Sequence, residues 1–242
     1  MKQTRSAHIL FGTSTAALCL SVLLMASNAH SETYIGGQFG TTIAGNTLSN
    51  VDLTDFSPNA SMSDRSLATS PLIGFKFGYY FPQARWFGLE TEAYYMTPHI
   101  KQQPTTVTIP PPGQTIGGTT FKSGTTTSSF TGDHFRVLTW MPVNLMFRYY
   151  KTRLQPYFGF GPGVFMAQVK TTETGFEGTQ NSTKLGLNAK LGGEYFFTKH
   201  LTVFTELKYN YTSFDFASKD TSFGFKATYS PILLAFGVSY HF

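Results

Sequence analysis

Cysteine is all but missing: the 242-residue chain has one, Cys19, close to its start. No disulfide framework, thiolate nucleophile or Cys-ligated metal can therefore be built farther along. Charge is scarce too, at 13% of residues, which is too little for an ordinary soluble surface. After residue 30 there is no run of about 18 apolar residues, so no later segment can cross a membrane as a helix. Also missing are Gly-x-Ser-x-Gly, His-Glu-x-x-His, a phosphate-binding glycine loop and an EF-hand loop.

What the chain has instead is rings and glycine: 24 Phe, 13 Tyr and 23 Gly. That composition is too aromatic for disorder, and without long apolar runs it suits alternating strands. The start reads as a cleaved leader over residues 1–29. Lys2 and Arg5 give the positive start, residues 16–26 a short apolar core, and Ser27, Asn28 and Ala29 a small-residue cleavage site. Cys19 follows Leu18 rather than the small residue a lipoprotein site needs. Losing Lys2 and Arg5 leaves 16 basic residues against 13 acidic, a net charge of +3. So small and dispersed an excess argues against nucleic acid as a partner.

From residue 33 the pattern alternates with period two, one face of each segment apolar. Eight strands are expected, at about 33–43, 72–81, 86–96, 135–150, 156–169, 184–196, 201–211 and 229–242. Connections at 82–85, 151–155 and 197–200 are short. Those at 44–71, 97–134, 170–183 and 212–228 are long and rich in Ser, Thr, Gly, Asn and Pro. Alternation of short and long connections is the pattern of an outer-membrane barrel, with turns periplasmic and loops outside. A soluble eight-stranded barrel would turn its apolar face inward. The outward Phe and Tyr near strand ends speak for lipid instead.

The final stretch YSPILLAFGVSYHF carries a motif. Gly237-x-x-Tyr240-x-Phe242 resembles the C-terminal signal that the assembly machinery reads in bacterial outer-membrane β-barrels, with Ala235 where a polar residue is usual. By motif and strand pattern the chain resembles the small eight-stranded barrels similar to that of outer-membrane protein A and its X-type relatives. The resemblance implies an all-β, antiparallel transmembrane barrel over 30–242, both termini periplasmic, in a bacterial outer membrane. It also implies outer-membrane lipid and lipopolysaccharide as surroundings and the assembly machinery as a partner during biogenesis.

Inward positions carry a charge network: Lys76, Glu90, Glu92, Arg136, Arg148, Lys184, Lys190, Glu194, Glu206 and Lys208. A turn centred on Ala84 places Lys76 opposite Glu92. One centred on Thr198 places Lys190 opposite Glu206 and Asn188 opposite Lys208. An eight-stranded barrel is just wide enough for side chains to fill, so both signs interleaved imply a plugged lumen rather than a channel. Above them, Tyr94, Met96, Leu138, Trp140, Phe165, Tyr229 and Leu233 line the outer half of the lumen. They either fill it or leave an apolar cup for a small hydrophobic molecule.

Catalysis is not expected. His99 and His134 sit at the outer rim, but Asp133 and His134, adjacent on a strand, point to opposite faces. Loop 97–134 runs QQPTTVTIPPPG and then GGTTFKSGTTTSS, which should bury no core. A binding role there would rest on Ile109, Phe121 and Lys122. Neither cofactor nor metal is expected. The function reads as structural or surface-interacting, in adhesion or envelope integrity, with a host surface or a small hydrophobic ligand as candidate partners. The alternative is a carrier or narrow channel for small hydrophobic molecules, similar to the W-type barrels.

Overall fold

The computed structural model describes residues 32–172 and 177–242. The expected leader lies outside the described residues. The elements, all strands, are β1 (Glu32–Ala44), β2 (Thr47–Leu53), β3 (Ala60–Met62), β4 (Arg65–Ser66), β5 (Pro71–Phe81), β6 (Ala84–Met96), β7 (His99–Ile100), β8 (Gln103–Ile116), β9 (Thr119–Phe130), β10 (Asp133–Arg148), β11 (Leu154–Thr171), β12 (Gly178–Phe196), β13 (Leu201–Phe216), β14 (Phe225–Tyr229) and β15 (Ile232–His241). Antiparallel ladders run β1-β5-β6-β10-β11-β12-β13-β15, and β15 pairs back onto β1. The sheet thus closes on itself with eight strands, leaving no edge for other chains to pair with.

The faces follow from alternation. Outward residues such as Ile73 and Leu185 are 69% and 78% exposed, which only a lipid environment tolerates over a whole barrel. At the short-turn end, Phe81, Phe87, Phe147 and Phe158 form a continuous row of ring contacts, with centroids 5.5, 5.3 and 4.8 Å apart. This is the aromatic girdle of a membrane interface.

Two features depart from the expected register. On β10, Met141 pairs with Glu92 of β6 and Asn144 with Glu90, so Pro142 and Val143 together face the single Thr91. Pro142 has no N–H for the ladder, and the extra residue makes a β-bulge that reverses the faces beyond it. Below the bulge Val143, Leu145 and Phe147 face out as expected. Above it Val137 and Met141 are buried and the even positions face out. The second departure is the turn at 197–200. Phe197 and Thr198 both donate backbone N–H groups to Leu201 O, at 3.0 and 3.3 Å. Thr198 Oγ1 accepts from the backbone N–H groups of His200 and Leu201. These bonds centre the turn on Lys199, one residue later than expected, and shift the ladder by two. Lys190 therefore lies opposite Lys208, not Glu206, and Asn188 opposite Asn210, not Lys208. A two-residue shift keeps every side chain on its face.

The long loops are not bare coil. β14 pairs with β13 beyond the β13–β15 ladder, and from there the same sheet continues β14-β2-β3-β8-β9 as a loop sheet above the barrel mouth. Loop 97–134 folds as the β8–β9 hairpin. Contrary to the expectation that it buries nothing, Ile109 and Phe121 pack with Leu53, Phe56, Met62 and Phe223 in a small core of their own.

Candidate functional site

The lumen has three storeys. In the middle, Lys76 of β5, Glu90 and Glu92 of β6, Lys190 of β12 and Glu206 and Lys208 of β13 point inward, each nearly inaccessible to solvent. They form a closed ring of alternating charge. Lys76 meets Glu206 at 2.7 Å, Glu206 meets Lys208 at 2.6 Å, and Lys208 meets Glu92. Glu92 meets Lys190, Lys190 meets Glu90, and Glu90 closes the circle on Lys76 at 3.8 Å. Three cations and three anions cancel, and every charge has two opposite neighbours. Each carboxylate also receives one neutral donor. Tyr34 Oη donates to Glu90 at 2.6 Å, Gln38 Nε2 to Glu92 at 2.5 Å and Tyr157 Oη to Glu206 at 2.6 Å. Buried charge persists only when paired and hydrogen-bonded in this way.

The ring explains why two lysines can lie opposite each other in the β12–β13 ladder. Like charges so placed repel, but Lys190 and Lys208 both reach Glu92 between them. Lys76 lies opposite Glu92 as expected from sequence. Its ammonium instead crosses the lumen to Glu206 and sits 3.4 Å from the Phe204 ring centroid.

The periplasmic storey is a second cluster. Arg148 grips Glu32 with both terminal nitrogens and lies 3.6 Å from the Tyr80 ring centroid. His241 Nδ1 faces Glu32 at 2.8 Å and its Nε2 faces Glu194 at 2.9 Å. Carboxylates at both ring nitrogens are satisfied by an imidazolium donating to each. Glu32 and His241 were missed as members of the network. Glu32 precedes the first expected strand, and His241 lies on the inward face of the last strand but was not counted among its charges. The even spacing of His241 from Leu233 and Ala235 would have placed it inside.

Arg136 and Lys184 are corrections to the expected network. Arg136 lies above the Pro142 bulge and points outward at the rim. Lys184 lies beyond Gly186–Thr212, the last pair of the β12–β13 ladder. Its half-exposed side chain pairs with Asp215 at 3.5 Å.

The upper storey is apolar. Tyr94, Met96, Phe165, Tyr229 and Leu233 are buried there, joined by Phe135, Val137, Met141 and Phe214. Leu138 and Trp140 do not belong to it: the bulge turns them outward, 40% and 46% exposed. These rings fill the upper barrel, so the expected cup is solid at that level. The open space lies higher. A cavity of about 510 Å³ sits between the top of the core and the loop sheet. Leu48, Val51 and Ile100 meet it from the side of the barrel core, and Phe56, Val107 and Phe223 from the loops. Arg65, Asp133 and Gln180 add polar edges.

The rim histidines are brought together. His99 and His134 are direct partners between β7 and β10, with ring centroids 4.9 Å apart. No cluster of three or more His, Cys, Asp or Glu able to hold a metal occurs among the described residues. At the other end, Gly237, Tyr240 and Phe242 stand on the final strand, with the Tyr240 and Phe242 rings outward and 5.2 Å apart.

Residues 13–242 match the family model described as outer membrane protein beta-barrel domain. The fold is similar to that of the outer membrane protein OprG from Pseudomonas aeruginosa, with TM-score 0.57 and 15% identity over 88% of this chain and 96% of that one. It is also similar to that of the outer membrane protein AlkL in lipid bilayers, with TM-score 0.51 and 13% identity over 100% and 97%. No curated protein matches by sequence at a significant level. With a closed eight-stranded barrel, an outward apolar face and a family match over nearly its whole length, the chain belongs to the outer-membrane β-barrel protein family.

Proposed function

We propose that the protein captures small apolar molecules at the cell surface, in the cavity between its barrel mouth and its loop sheet. The observation that carries this reading is the cavity itself. Its volume of about 510 Å³ lies within the range of about 300–1,000 Å³ typical of small-molecule sites, and its walls are mainly aliphatic and aromatic with a few polar groups. The lumen below is filled by rings and by the charge ring, which supports capture over free axial flow of water and ions. The test is ligand binding in lipid nanodiscs with an apolar fluorophore. Replacing residues 101–130 by a short Gly-Ser linker should abolish binding while the barrel stays folded. Retained binding would overturn the proposal.

A second reading is surface contact through the β8–β9 hairpin, in adhesion or envelope integrity. Its exposed threonines pair across the strands, Thr106 with Thr127 at 2.9 Å and Thr108 with Thr125 at 3.1 Å, making a flat hydroxyl ladder. If the same replacement changes cell adhesion but not fluorophore binding, this reading takes the place of the first.

A further inference from the structure

The three short turns carry Arg85, Lys151, Arg153 and Lys199, all exposed, and not one acidic residue. The loop end differs, mixing Asp52, Asp55 and Asp64 with Lys101, Lys122 and Lys226. Glu32 and Glu194, the acids at the turn end among the described residues, face the lumen and are held by Arg148 and His241. The basic turns are also contiguous. The Arg85 guanidinium lies 5.2 Å from the ring centroid of Tyr150, beside Lys151. The Arg153 carbonyl accepts the backbone N–H of Phe196 at 2.9 Å, next to the turn that holds Lys199. Just inside them stands the girdle of exposed rings, Trp86, Tyr149, Tyr195, Phe197 and Tyr240. Such rings settle at the level of lipid headgroups, which sets the depth of the cations beside them.

We infer that this basic rim binds the phosphate groups of anionic phospholipids in the periplasmic leaflet. A guanidinium fork matches two phosphate oxygens at once, and an ammonium supplies a point charge. Each cation engaged at an anionic surface gives about a fivefold preference. The turns are four or five residues long and stay at the girdle, so they meet headgroups rather than material deeper in the periplasm.

The chain's two tryptophans allow a direct test. Trp140→Phe leaves Trp86, next to Arg85, as the single reporter. This protein is folded into phosphatidylcholine vesicles containing a fraction of lipid with brominated acyl chains, which quench nearby indoles. Brominated phosphatidylglycerol should quench Trp86 more strongly than brominated phosphatidylcholine, and added salt should erase the difference. Inorganic phosphate at constant ionic strength should leave it intact. Adding Arg85→Gln, Lys151→Gln, Arg153→Gln and Lys199→Gln should equalise the two lipids while heat-modifiable migration shows the barrel still folded. Equal quenching in the parent protein would overturn the inference, as would a preference that survives salt. Loss of the preference to inorganic phosphate would assign the rim to free anions. Retention on isolated peptidoglycan together with equal quenching would assign it to the cell-wall polymer.

Discussion

Breaking the charge ring should cost most when it leaves an odd charge. Lys208→Met removes the cation between Glu92 and Glu206, leaving two lysines facing three glutamates. Each of those carboxylates keeps one cation, Lys190 for Glu92 and Lys76 for Glu206, but one buried negative charge is uncompensated. Removing one partner of a buried pair costs about 3–5 kcal/mol. Glu206→Gln leaves the opposite imbalance and turns one of the two acceptor oxygens that serve Lys76, Tyr157 Oη and Lys208 into an N–H donor. The double variant restores neutrality with two charges of each sign. It should therefore cost less than the single changes added together, with a coupling near the upper end of the usual range of about 0.5–3 kcal/mol. Lys190 and Glu206 stand on opposite sides of the ring and share no bond, so the same cycle on that pair should give less than half the coupling. Equilibrium urea unfolding in lipid vesicles, followed by tryptophan fluorescence, measures all of these. Additivity of Lys208 with Glu206, or equal coupling in both cycles, would refute the ring.

The Pro142 bulge predicts that Trp140 meets lipid. In a Trp86→Phe background its emission should be quenched by brominated acyl chains, and an unquenched Trp140 would restore simple alternation through β10. A Cβ on Gly78 would run into the ring of Tyr34, which donates to Glu90; Gly78→Ala should destabilise by about 1–3 kcal/mol in the same urea assay, as overpacked sites do. Phe242 is 66% exposed, so Phe242→Ala should lower the amount assembled in the outer membrane more than it lowers the stability of the folded barrel. Unchanged levels on blots of outer-membrane fractions would count against a sorting role. A closed ladder has no edge to open, so the unboiled protein should migrate apart from the boiled one in detergent gels.

Most of the barrel was legible because period-two alternation decides which face a residue takes, and a two-residue register error leaves faces unchanged. That is why Lys190, Glu206 and Lys208 were all placed inside although their pairing was wrong. The pairing itself depended on Thr198, whose hydroxyl lengthens the turn at 197–200 by local bonds that strand patterns do not report. Pro142 was the one clue to the reversed face of Val137, Leu138, Trp140 and Met141, since a proline inside a central strand marks a bulge. The loop sheet stayed hidden for a different reason. Its core joins Phe56, Phe121 and Phe223, rings from three separate polar loops, and no local period links them.

The most direct test of the account is a binding isotherm for an apolar fluorophore on the folded protein in nanodiscs, beside the variant Val107→Trp. Val107 lines the cavity from the loop sheet, away from the charge ring and the barrel ladders. Filling the cavity with an indole should weaken binding at least about tenfold while unboiled migration stays that of the folded barrel. An unchanged isotherm on a folded variant would show that the cavity is not where the molecule is held.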